Sequence, residues 1–188
     1  NVWNLNTHQL ISQHHVMIEG VLNILKDCKY AELVHLLGSN GQIVTFSLKR
    51  EGIIIRRIIK QNRYNVGRLT DVIQDKNDEF QLISSSMNGF LLIWDHELTE
   101  LQEAIDCKKI TGNDQLQILS IALSNNSKYL CFGNNIGEIF IVCMKSKKLI
   151  TKCEIHSNQI TSIAWTPDDK QIITSSGDSS IAVSNFYT

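Results

Sequence analysis

The side chains that could do chemistry in this chain are few, and their spacing speaks against most of it. Asp168-Asp169, and Asp75 with Asp78-Glu79, are paired acids that could share a proton or hold calcium. Both groups fall in turns between strand-like runs, where Asp is favoured for local hydrogen bonding, and no D-x-D-x-D-G run accompanies them. His14-His15 could ligate a metal, but neighbours on a strand point to opposite faces and do not share one ion. His8, His35 and His96 have no partner at ligand spacing. Ser84-Ser85-Ser86 and Ser175-Ser176 lack the G-x-S-x-G context of a strained nucleophile, and no phosphate-cradling glycine motif is present. Neither catalytic residues, a cofactor site nor a metal site is expected.

Five cysteines, Cys28, Cys107, Cys131, Cys143 and Cys153, form no C-x-x-C pair and read as buried, reduced thiols of a cytosolic or nuclear protein. The net charge of -1 gives no global pull toward nucleic acid or membrane, but the charge is uneven. Lys49, Arg50, Arg56, Arg57, Lys60, Arg63 and Arg68 lie in one stretch with the single acid Glu51, and an acidic segment follows from Asp71 to Asp106. The basic stretch reads first as a charged edge strand that resists sheet-to-sheet pairing. Its second reading is a docking patch for an acidic partner: a phosphoinositide head group, an RNA backbone or an acidic protein tail. No apolar run approaches the roughly 20 residues that span a bilayer, and no secretory leader is visible at Asn1. The absence of an initiator Met makes a fragment or a processed chain the expectation.

The elements that must position these groups repeat along the chain. Trp3, Phe46, Trp94, Val142 and Ser184 occupy equivalent places, at spacings of 43, 48, 48 and 42 residues. A period of that size marks a unit that buries its apolar face only by stacking on its neighbours. Strands are expected at Val21 to Leu25, Ala31 to Leu37, Gln42 to Phe46 and Gly52 to Ile59. They recur at Gln81 to Ser86, Phe90 to Trp94 and Leu98 to Ile105, then at Ile118 to Leu123, Tyr129 to Phe132, Glu138 to Val142 and Leu149 to Glu154. A last set covers Ile160 to Trp165, Gln171 to Ser175 and Ser180 to Val183. Turns are signalled at Ser39-Asn40-Gly41, Met87-Asn88-Gly89, Asn134 to Gly137, Thr166-Pro167-Asp168-Asp169 and Ser176-Gly177-Asp178.

The segment His156 to Asp178 resembles a WD repeat: a His, an inner strand, an S-P-D-G-like turn, a small-residue strand and an Asp turn. Ser84 to Asp95 resembles the closing signature of that family, with Trp94-Asp95 in place. The first and third repeats match mainly in spacing. The resemblance implies an all-β, WD40-type β-propeller with about four blades here, a segment of a larger ring of about seven. The repeats run over approximately 6–47, 48–96, 97–144 and 145–188; the rival is a four-blade ring closed by the N-terminal strand. It also implies a structural group of His156, Thr174 or Ser176, and Asp178, with Ser184 where an indole would stand. Trp94 has its indole beside Asp95 but no His at the start of its repeat.

The function that follows is a non-enzymatic scaffold for protein–protein interaction in a multiprotein assembly, cytoplasmic and not secreted. Arg63 and Tyr64, in the long segment from Gln61 to Gly67, are candidate anchors beside Arg56, Arg57 and Lys60. Lipid-binding propellers with a Phe-Arg-Arg-Gly motif are matched here only by Ile55-Arg56-Arg57-Ile58, where neither flank fits. Residue usage rich in Asn, Ile and Lys is that of AT-rich genomes, whose repeat arrays recur in cytoskeletal and ciliary assemblies. An axoneme-associated or nuclear protein is therefore the alternative setting, and nucleic acid is the disfavoured partner.

Overall fold

The computed structural model describes residues 1–13, 20–38, 43–49, 52–59, 67–77, 81–95 and 101–186. Nearly all regular structure is antiparallel β. A hairpin of β1 (Val2–Asn4) and β2 (Gln9–Ser12) comes first. The first full sheet is β3 (Val21–Lys26), β4 (Leu33–Gly38), β5 (Ile43–Lys49) and β6 (Gly52–Ile59). The second is β7 (Leu69–Gln74), β8 (Leu82–Ser86), β9 (Phe90–Trp94) and β10 (Leu101–Asp106). The third is β11 (Ile118–Leu123), β12 (Tyr129–Asn134), β13 (Glu138–Cys143) and β14 (Leu149–Glu154). The last holds β15 (Ile160–Trp165), β16 (Gln171–Ser176) and β17 (Ile181–Asn185). In each sheet the strands lie side by side in chain order, as in propeller blades.

Sheet and sequence repeat are offset by one strand. The stretch 97–144 holds β10, the outer strand of the second sheet, and then β11 to β13 of the third. That stretch is therefore shared between two sheets and ties them covalently. The middle strands show why stacking is required: β8 and β9 are buried along almost their whole length on both faces.

Among the described residues, three cores lie between the sheets. Leu37 and Ile43 meet Leu69, Val72, Leu82, Leu92 and Trp94. Ile83, Leu91, Ile93 and Ile105 meet Ile118, Ile121, Leu130, Phe132, Phe140 and Val142. Cys131, Ile139 and Ile141 meet Ile160, Ile163 and Ile172. Phe132 and Phe140 stack within the third sheet, ring centres 5.1 Å apart. Gly133 lets the last two sheets close: a Cβ there would come within 2.6 Å of Ile160.

Several expectations are corrected. β7 was not among the expected strands; Asp71 interrupts its apolar pattern and the segment follows the basic stretch. The edge strand expected over Leu98 to Ile105, with a short helix possible before Lys109, is described from Leu101 to Asp106, its first residues lying outside the described ones, and is followed by such a helix, α1 (Cys107–Thr111). Asp106 caps α1 through the N–H of Lys108, and Gly112 ends it at φ 68°. Cys28 and Cys153 are exposed rather than buried, one in a hairpin loop and one on the outer strand β14; Cys107 and Cys131 are buried. β1 pairs with β2, and β17 has only β16 beside it, so the four-blade closure is not seen among the described residues. His14, His15, the 39–42 turn, Lys60, Arg63, Tyr64, Asp78, Glu79 and His96 lie outside those residues.

Candidate functional site

Each first strand bends at its start. The register shifts between Val21 and Asn23, Leu69 and Asp71, Ile118 and Ser120, and Ile160 and Ser162. The bulge brings Asn23, Asp71 and Ser120 into one row across three sheets. Asn23 Nδ2 donates to Asp71 Oδ1 at 3.0 Å, while Ser120 Oγ and the N–H of Ile121 donate to Asp71 Oδ2 at 3.3 and 3.0 Å. Burial raises the Asp71 carboxyl above its ordinary range despite these donors, because they only partly replace lost solvation.

The hairpins joining first and second strands clasp neighbouring sheets along one rim. Gln74 Oε1 accepts the N–H of Cys28 at 2.8 Å, from the second sheet to the first. Asn77 Nδ2 donates to Ser127 Oγ at 2.9 Å, and Ser127 Oγ donates to Asp75, from the third sheet to the second. Asp169 accepts the N–H groups of Asn125 and Asn126 at 2.6 and 2.9 Å, from the last sheet to the third. Asp75 and Asp169 were expected to serve only their own turns; they also join blades.

Two histidines are held by polar groups on both ring nitrogens. His156 Nε2 meets Thr174 Oγ1 at 2.8 Å, and Nδ1 meets Asp178 Oδ2 at 3.1 Å and Ser180 Oγ at 2.8 Å. Thr174 supplies the hydroxyl at His156, while Ser176 Oγ accepts the N–H of Asp178 at 3.2 Å and donates to the carbonyl of Asn158 at 3.0 Å. The Ser180 hydroxyl, and then the N–H groups of Ser157 and Ser180, hold the Asp178 carboxyl well below the usual range. The second histidine gave no signal in sequence. His35 lies buried between Thr45 Oγ1 and Asp27 Oδ2, each 2.9 Å away. Trp94 is buried and donates from Nε1 to Ser84 Oγ at 3.0 Å. Asp95, half-buried, follows at the strand end. Trp165 donates across the last seam to the carbonyl of Ala122 at 3.1 Å.

On β6, Arg57 pairs with Thr45, and Arg56 stands at the adjoining register shift on the outer edge of its sheet. That position fits a charged edge strand. Arg68 is exposed at the start of the second sheet. Among the described residues no group of three or more His, Cys, Asp or Glu could hold a metal ion. No helix there is long and apolar enough to cross a membrane. A cavity of about 660 Å³ opens between the second and third sheets on the hairpin rim.

A family model described as "WD domain, G-beta repeat" matches residues 147–183, from just before β14 into β17. Among characterised proteins, the Protein LST8 homolog of Drosophila melanogaster is 26% identical over 113 residues, 56% of this chain and 34% of that protein. The apoptotic protease-activating factor 1 of Rattus norvegicus is 26% identical over 133 residues, 71% of this chain and 10% of that protein. Its Mus musculus counterpart is 25% identical over the same length. The chain thus spans about a third of the first relative and a tenth of the other two.

Proposed function

Because this chain is a WD-repeat protein with a propeller-type all-β fold, we propose that it is a non-enzymatic scaffold on whose rims other proteins assemble. The observation that carries this reading is the run of clasps from Gln74 to Asp169. Four consecutive hairpins are fixed to their neighbours by side chains, which makes the rim a pre-ordered surface, and pre-ordering reduces the entropy lost when a partner docks. His156 and His35 have both nitrogens engaged within the fold, which fits structural roles and not proton transfer to a substrate. The test is in-cell crosslinking of the full-length protein followed by mass spectrometry. Crosslinks from the Lys128, Lys145 and Lys170 hairpins to other proteins support the scaffold; turnover by the purified protein with no stable partner overturns it.

The four sheets are also proposed to be a segment of a larger propeller, with repeats at 6–47, 48–96, 97–144 and 145–188. By repeat position, Ile173, Ile181 and Val183 of the last sheet correspond to Cys131, Ile139 and Ile141 of the third. The latter are covered by Ile160, Ile163 and Ile172, whereas Ile181 is 74% exposed. At the other end Val21 and Ile24 correspond to the buried Ile160 and Ile163, yet Ile24 is 64% exposed. Both outer faces have the composition of a blade seam. The 188 residues alone should self-associate or lose solubility; a monodisperse monomer in sedimentation would remove this reading. The basic stretch remains the less supported docking site.

A further inference from the structure

The cavity between the second and third sheets has an apolar floor and an unbalanced charge at its mouth. Ile83 and Ile93, at the end of the inter-sheet core, form the floor, with Tyr129 and Met144 half-buried beside them. The acids in the lining are engaged within the fold: Glu103 pairs with Lys147 at 3.1 Å, and Asp75 accepts from Ser127 and from the N–H of Asn77. Lys128 and Lys145 are exposed at the same mouth and have no ion-pair partner among the described residues. They are held close, because Met144 donates its N–H to the carbonyl of Lys128 at 2.9 Å. Gln102, exposed at the opposite lip, accepts from Gln81 Nε2 at 2.6 Å, and its own side-chain N–H groups have no partner among the described residues.

We propose that this cleft is a docking site for a short acidic peptide segment of a partner protein, one large apolar side chain seated on Ile83, Ile93, Tyr129 and Met144 and flanking carboxylates held by Lys128 and Lys145. About 660 Å³ is well within the range of pockets that enclose a ligand and exceeds what one such side chain fills. Two cations with no ion-pair partner among the described residues, beside an apolar floor, favour a segment that is both acidic and apolar over one that is only either. The proposal rests on the scaffold reading and adds to it the site and the class of partner.

The test uses the full-length protein and three labelled nonapeptides with Glu flanks and central Phe, Glu flanks and central Ser, or Lys flanks and central Phe. Fluorescence anisotropy should show the first binding at least about tenfold tighter than either other. K128E/K145E, with both positions exposed and the fold checked by circular dichroism, should reverse the flank preference. Cys143 also lines the cleft, so the first peptide should slow its alkylation, read by peptide mass mapping, and leave the exposed Cys28 and Cys153 unaffected. Equal binding of all three peptides, no binding, or a charge preference unchanged in the double variant would overturn the proposal. If partner crosslinks elsewhere on the rim survive in that variant, the scaffold reading stands and only the cleft assignment falls.

Discussion

The carboxylate of Asp71 accepts the main-chain N–H of Ile121 at 3.0 Å, and the two residues stand on the first strands of neighbouring sheets. A side chain of one blade thus supplies an acceptor to the next blade's backbone at its bulge, where the ladder cannot. Asp71→Ala would leave the Ile121 N–H and the Ser120 hydroxyl without their acceptor and should lower stability by about 2 kcal/mol. Asp71→Asn keeps one acceptor oxygen and should cost less. The folded-state value is raised, so this group's contribution is full below the ordinary carboxylate range and is lost as pH rises through the folded value. Denaturant titrations from pH 4 to 7 should therefore show Asp71→Asn gaining on the native chain as pH rises. A constant difference would show that the carboxylate is not desolvated.

Trp94 is 3% exposed and ties β9 to β8 through Ser84. Trp94→Ala should cost roughly 3–5 kcal/mol, as large aromatic truncations in cores do. Trp94→Phe keeps most of the apolar contact and loses the indole donor, so its cost should fall near 1 kcal/mol. Thermal melts of both variants measure this. An unchanged melting temperature in Trp94→Ala would remove Trp94 from the core.

Much of this was legible in the sequence because a buried middle strand needs an unbroken apolar run. Phe90 to Trp94 was bounded to the residue for that reason. Where polar groups replace apolar ones, the pattern is lost. Leu69–Gln74 carries Thr70, Asp71 and Gln74, each placed to bond a neighbouring sheet or strand, and these interrupt the hydrophobic alternation that marks a strand. The partners of His35 are likewise 8 and 10 residues away, in a turn and on the next strand, so no local spacing reveals them. The clasps of Gln74, Asp75 and Asp169 join residues more than 40 positions apart, which turn chemistry alone does not specify.

Asp178 has the opposite sign to Asp71. Its carboxyl is held low by Ser180 first, then by the N–H groups of Ser157 and Ser180 and by His156. Its contribution is present above the ordinary carboxylate range and is lost as pH falls through the folded value. Asp178→Asn should therefore lower the melting temperature at pH 7, and the deficit should shrink as pH approaches 2. Thr174→Val, which removes the buried hydroxyl at His156 Nε2, should cost about 1 kcal/mol. A deficit for Asp178→Asn that stays the same at both ends of the pH range would remove the ionised carboxylate from this network.

The five thiols should separate by reactivity. Burial pushes Cys107 up to about 12 and raises Cys131 further, with smaller contributions from Asp106 and Cys153 respectively. The hydroxyl and N–H of Ser146, then Lys145, hold the half-buried Cys143 below its ordinary value. Iodoacetamide at pH 7 should label Cys143 faster than the exposed Cys28 and Cys153, and leave Cys107 and Cys131 unmodified until the chain unfolds. Labelling of Cys131 under native conditions would mean that the last seam opens.

Gly137 sets the approach of two turns that carry the last seam. It sits at φ 93° in the β12–β13 turn, and its carbonyl accepts the N–H groups of Ile155 and His156 at 3.2 and 3.1 Å. A Cβ there would fall on the His156 carbonyl, a backbone atom that cannot rotate away. Gly137→Ala should therefore force the β14–β15 loop outward and disturb His156 as well as the turn, at a cost above the roughly 1 kcal/mol of left-handed strain alone. Gly112 offers the control: it has a similar positive φ of 68° with nothing within 4 Å of a built Cβ, so Gly112→Ala should cost only that strain. Equal melting temperatures for the two variants would show that the Gly137–His156 approach is not tight.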